Sequence, residues 1–325
     1  MKNVKNLNII VSLNHEVSRR VTNSILKSPL KIRGSDEDIY VPQAELTQKV
    51  GLNNSHLEII LTEKEYDKLI ARYVNIGSFE DWLNLIFKRD MHSLVSLRSS
   101  FLEESSNNNL AKIKNTLQKE KKINVIFTII IDDLEDLLIR RFLSARYQIE
   151  SKFSNRNLNS FYESKFRIQM IKSIQCMKDI VSLFGMSHVN FIHKSQYTNS
   201  KCDKYFSRKL SNLCNTEPSV FNSVKIGEYD MNSIFFNYLK QVIENKNMSI
   251  REEISEIKKV LAKYNLQTEN PLDQLNEEHL KEIRSNANEM LLISKINSPK
   301  KILSIGHENC KTEIEYIENS ALLQE

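Results

Sequence analysis

The chain has 325 residues, 40% of them hydrophobic, with 46 basic and 41 acidic side chains and a formal net charge of +5. That length holds about two domains. The apolar content excludes wholesale disorder, and the mild positive charge permits an anionic partner without the density of a dedicated nucleic-acid arm. Only six glycines and five prolines are present, two residue types that together make up about 12% of an average chain. Few positive-φ turns and few loop breaks predict long helices joined by polar loops, an all-α, multi-helix protein in two parts. The same scarcity argues against nucleotide-binding α/β folds, whose phosphate loops each use several glycines.

In chain order, residues 7–13 form an apolar stretch interrupted by Asn8 and Ser12, too short and too polar for a secretory signal. Leu13, Val17, Val21 and Ile25 recur every four residues and predict a first amphipathic helix that stops at Pro29. Residues 30–41 carry Gly34 and three consecutive acids and read as a loop with a short extended piece. Helical patterning resumes at Pro42, with short helices on either side of Gly51, a third from Thr62 and a longer one after Ser78. The polar run 105–109 reads as a linker that divides a small helical domain, 1–104, from a larger one, 110–325. From 110 to 150 an apolar stripe through Ile113, Leu117, Ile123, Phe127, Ile130, Leu134, Leu138 and Phe142 predicts one long helix or a closely joined pair. Further helices are expected through Ile168 to Ile180, at 231–244, at 249–264 and at 273–294. Strand is expected only as short pieces near 30–41 or 300–317.

Residues 43–61 read QAELTQKVGLNNSHLEIIL, with apolar Leu46 and Val50 before Gly51 and Leu52, Leu57 and Ile60 after it. This resembles the helix-turn-helix of the Cro and C1 phage repressors. The resemblance implies DNA binding, with Gln43 and Ser55 near phosphate or base edges and Asn53, Asn54 and His56 facing the major groove. An ordinary helical hairpin with a glycine turn accounts for the same residues.

The segment Asp132-Asp133-Leu134-Glu135-Asp136 resembles the first aspartate-rich motif of class I terpene and prenyl diphosphate synthases. Asn245, Ser249 and Glu253 have the spacing of the second metal motif of terpene synthases. That resemblance implies Mg²⁺ shared between Asp132, Asp136 and the downstream triplet, with a substrate diphosphate bridging the ions. The competing expectation is that Asp132 and Asp136 lie on the solvent face of a helix whose buried stripe runs through Leu134, Leu138 and Phe142, and hold no metal.

Lys194, Lys201, Lys204, Arg208 and Lys209 form a basic stretch interleaved with Tyr197, Tyr205 and Phe206. Such a mixture can hold phosphate and stack bases; a basic helix face with its aromatics turned inward is the plainer account. His188, His193, Cys202 and Cys214 are a further, loosely spaced set of zinc-type ligands. Four cysteines far apart in a long chain read as thiols in a reducing compartment. Taken together, the sequence predicts a non-catalytic binding or regulatory protein without a cofactor. It is expected to act on a protein partner, with DNA contacted through the N-terminal module and no membrane insertion. A cytoplasmic location is expected, with a secreted scaffold or effector as the alternative and a Mg²⁺-dependent synthase as the enzymatic one.

Overall fold

The computed structural model of the chain describes residues 5–27, 30–42, 91–120, 122–146, 158–194, 202–222, 224, 272 and 275–295. Its centre is a six-stranded sheet in the order β2-β3-β4-β1-β5-β6. The strands are β1 (Asn6–Ser12), β2 (Leu30–Lys31), β3 (Asp38–Tyr40), β4 (His92–Leu97), β5 (Asn124–Ile131) and β6 (Val189–His193). Only β2 and β3 run antiparallel to one another; β3-β4, β4-β1, β1-β5 and β5-β6 are all parallel. The helices are α1 (His15–Leu26), α2 (Ser99–Glu104), α3 (Asn107–Ile113), α4 (Leu134–Arg146), α5 (Leu158–Phe161), α6 (Arg167–Phe184), α7 (Cys202–Cys214) and α8 (Glu277–Ser294). The protein is therefore an α/β protein and not an all-α bundle.

The reason is visible in β5. Its sequence, Asn-Val-Ile-Phe-Thr-Ile-Ile-Ile, is dominated by β-branched residues, which fit a pleated surface better than a helix. A parallel strand covered on both faces has no polar side, so it reads as an unbroken apolar run that periodicity alone cannot separate from a buried helix. Phe127 and Ile130 thus belong to the sheet, Ile123 immediately precedes it, and the helix through Leu134, Leu138 and Phe142 starts only after it.

Turns without glycine explain the rest. Lys122 and Asn215 take positive φ values of 56° and 53°. Asn215 follows α7, where its N–H donates to Asn212 O at 3.3 Å and that of Thr216 to Ser211 O at 2.9 Å, the hydrogen-bond pair of a Schellman stop. Ser106 caps α3 by accepting from Asn109 N, so the polar run at 105–109 opens a helix.

Strand register sorts the side chains. Ile10, Leu94, Ile130 and Ile192 share one face and pack on Val17, Val21 and Ile25 of α1 and on Phe206, Leu210 and Cys214 of α7. The opposite face carries Phe127, which stacks on Phe101 of α2 at 6.4 Å between ring centroids and meets Phe184 of α6 edge-on at 4.9 Å. The expected first helix is present, with Val17, Val21 and Ile25 no more than 1% exposed.

By contacts the chain forms two compact units, one from residues within 1–132, 169–227 and 289–296, the other from residues within 133–168, 228–288 and 297–325. The sheet lies in the first. In the second, Phe142 packs on Phe161 at 5.7 Å, Tyr162 on the His279 ring at 4.7 Å, and Arg284 Nε donates to Glu135 Oε1 at 2.9 Å. Among the described residues no helix is long and apolar enough to cross a membrane.

Thr128, wholly buried in the middle of β5, makes no hydrogen bond through its hydroxyl among the described residues. A buried hydroxyl without a partner costs about 1–3 kcal/mol. Thr128→Val should therefore raise stability by about 1 kcal/mol in urea unfolding; a loss of stability would show that the hydroxyl is bonded.

Candidate functional site at the carboxyl edge of the sheet

In parallel strands, paired residues share a face. Ser12 pairs with Ile130 and Ile130 with Ile192, so the residues two positions further on, Asn14, Asp132 and Lys194, continue the same row just past the carboxyl ends of β1, β5 and β6. They meet there. Asn14 Nδ2 donates to Asp132 Oδ2 at 2.9 Å, and Lys194 Nζ donates to the same oxygen at 3.4 Å. All three are 3–5% exposed.

Asn14 is fixed by its other bonds. Its Oδ1 accepts from Val17 N at 3.2 Å, which makes it the cap of α1. Its own N–H donates to Ser12 Oγ at 3.1 Å, and Leu13 N donates to Ile130 O at 3.0 Å. Capping with the oxygen leaves the amide NH₂ as the only group that can reach Asp132. On the other side of β1, Ser18 Oγ donates to Leu97 O at 2.9 Å and ties α1 to the end of β4.

The position in the fold has a general significance. The chain leaving β1 enters α1 on one face, whereas the chain leaving the neighbouring β4 enters α2, whose Phe101 packs on the other face. Ligands of open α/β sheets bind outside the carboxyl ends of the strands where such connections diverge. The turn from β1 to α1 is Ser12-Leu13-Asn14, without glycine. Val17 N and Ser18 N are taken by the Asn14 side chain and carbonyl. The glycine-free turn and the capped Val17 N thus disfavour a polyphosphate cradle, which needs free amides and close backbone approach.

The sequence-predicted residues fall as follows. Gln43, Asn53, Asn54, Ser55 and His56 lie outside the described residues, as do Asn245, Ser249, Glu253 and Lys201. Asp132 is not solvent-facing: it is 4% exposed and paired. Nor does it share a helix face with Asp136, because it sits between the last residue of β5 and the helix that starts at Leu134. Asp136 is half-buried in the first turn of α4, and its N–H and that of Glu135 donate to Asp133 Oδ1. Among the described residues no three His, Cys, Asp or Glu side chains gather to hold a metal.

His188 precedes β6 and His193 ends it, so about five strand residues of roughly 3.3 Å each keep them from one zinc ion. Burial pushes the Cys176 thiol up to about 12 and raises that of Cys214, which leaves both unreactive at neutral pH. Lys194 leaves the basic stretch for Asp132, while Lys204, Arg208 and Lys209 are exposed on α7.

Asn14, Ser12 and Ser18 were not legible as site residues. For Asn14 the signal that could have found it is positional, and Asp132 and Lys194 share it: a polar residue one or two places beyond the last apolar residue of each run. Comparison with protein families, known proteins and solved structures finds no match.

Asn14 does two jobs, and substitutions separate them. Asn14→Ser keeps a cap but loses the bond to Asp132, and should cost about 1 kcal/mol. Asn14→Asp also keeps the cap but sets a second carboxylate against the first. It should cost more than Asn14→Ser at neutral pH, and the excess should shrink as acid protonates the pair. Urea unfolding at neutral and acid pH reads both; equal losses from the two variants would contradict the bond.

Proposed function

We propose that the protein binds a small polar molecule, rich in hydroxyl and amide groups, at the carboxyl edge of its sheet. One observation carries this reading: an amide, an ammonium and a carboxylate from three strand ends converge on one atom with almost no exposure. A buried ion pair is rarely the most stable filling for such a place, and an apolar set of the same volume often does as well or better. The cluster lies at the carboxyl edge of the sheet, the edge at which ligands of open α/β sheets bind, and Asn14 follows β1, which also borders β4 where the connections diverge. The chemistry suits partners that both donate and accept. The glycine-free, already capped turn speaks for nucleosides, sugars or amides over polyphosphates.

The test is a thermal-shift screen with nucleosides, sugars and amide metabolites, with nucleoside triphosphates as the contrast. A ligand that binds only the folded state stabilises it by mass action. The comparison protein is the double variant Asp132→Asn/Lys194→Met, which removes both charges and leaves neither ion alone. A member of the first set should raise the melting temperature of the native protein and leave the double variant unmoved. No shift with any of them, or an equal shift in both proteins, would overturn the reading.

A further inference from the structure

Helix α7 has two opposite faces. Phe206, Ser207, Leu210, Ser211 and Cys214 are buried, and Phe206, Leu210 and Cys214 pack in the core against the sheet. Lys204, Tyr205, Arg208 and Lys209 are exposed. Positions four apart stand one above the other on a helix, so Lys204 lies a turn from Arg208 and Tyr205 a turn from Lys209. The plainer account of this stretch requires its aromatics to turn inward. Phe206 does; Tyr205 does not, and is 62% exposed.

None of the four makes a hydrogen bond, ion pair or ring contact among the described residues. Exposed cations on helices are commonly balanced by acids a turn away, yet α7 contains one acid, Asp203, against its three cations. In the last turn of the helix and just beyond it the surface turns mixed. Arg33 Nη1 donates to Asn212 Oδ1, and Glu217 accepts from Gly34 N at 3.1 Å. The unpaired positive face is thus the two turns at 204–209.

We propose that this face binds single-stranded nucleic acid, with Tyr205 stacking on a base and Lys204, Arg208 and Lys209 holding the flanking phosphates. An unstacked aromatic framed by unpaired cations is the element from which single-strand sites are built. Three cations are few for a duplex, whose binders commonly neutralise six to ten phosphates. A duplex also keeps its bases stacked, where Tyr205 cannot reach their faces. This surface is separate from the carboxyl-edge site, and either can stand without the other.

Fluorescence anisotropy of a labelled oligothymidylate of about 20 nucleotides, long enough for a site of this kind, tests the proposal on the full chain at about 50 and 200 mM salt. Binding should weaken steeply with salt. Tyr205→Ala should lower affinity about tenfold without changing the salt dependence, and Tyr205→Phe should restore it. The triple variant Lys204→Gln/Arg208→Gln/Lys209→Gln should flatten the slope of log affinity against log salt by about 2. All four positions are exposed, and matching circular dichroism and melting curves check that each variant folds. Absence of binding, or variants that bind like the native chain, would overturn the proposal. So would equal affinity for a duplex or for polyglutamate with Tyr205→Ala silent, which would mark a general polyanion face or an acidic protein partner.

Discussion

A carboxylate held out of water must be paired or it forces the structure around it to change. Asp132 is in that position, and two partners among the described residues come from the ends of the flanking elements, Asn14 after β1 and Lys194 after β6. The consequence reaches beyond one ion pair. Because Asn14 also caps α1, the start of that helix, the end of the central strand and the ends of β5 and β6 are fixed by one oxygen atom. The packing of Val17, Val21 and Ile25 on Ile10, Leu94, Ile130 and Ile192 follows from where α1 begins. Asp132 therefore joins the order of the sheet to the geometry of its carboxyl edge.

The same geometry narrows the chemistry. One amide at the start of α1, Val17 N, is turned toward Asn14, and the Lys194 ammonium is paired with Asp132. This is the basis for proposing neutral polar ligands at this edge. The proposed anionic recognition is assigned instead to α7, where Lys204, Arg208 and Lys209 stand exposed while the other side of the helix fills the core beneath them. One helix thus contributes apolar packing inward and unpaired charge outward, a division set by its 3.6-residue period.

How much of this could be read in the sequence depended on the kind of element. The amphipathic helix through Val17, Val21 and Ile25 was legible because one side of it remains polar, although it starts at His15, after Leu13. Strand β5 was not, because burial on both faces removes the alternation that marks a strand, and Phe127 and Ile130 fit a helical stripe as well as a pleat. The shortage of glycine misled for a physical reason: Lys122 and Asn215 adopt the positive φ values themselves, and Asn14 and Ser106 close the starts of their helices. Asp132 stood out as a chemical residue, but its neighbours in sequence suggested a metal-binding helix. Among the described residues, its partners Asn14 and Lys194 lie 118 and 62 residues away, a distance no local motif can span. The helix-turn-helix resemblance at 43–61 lies outside the described residues.

Whether Asp132 and Lys194 act as one buried unit is measured directly by a double-mutant cycle. Asp132→Asn and Lys194→Met are compared with their combination by urea unfolding. Each single change strands a buried charge or breaks its pairing and should cost about 3–5 kcal/mol. The combination should cost clearly less than the sum, by a coupling energy of at least about 1 kcal/mol. Losses that simply add would mean that the two side chains do not depend on one another, and the carboxyl edge would lose the interaction on which it is built.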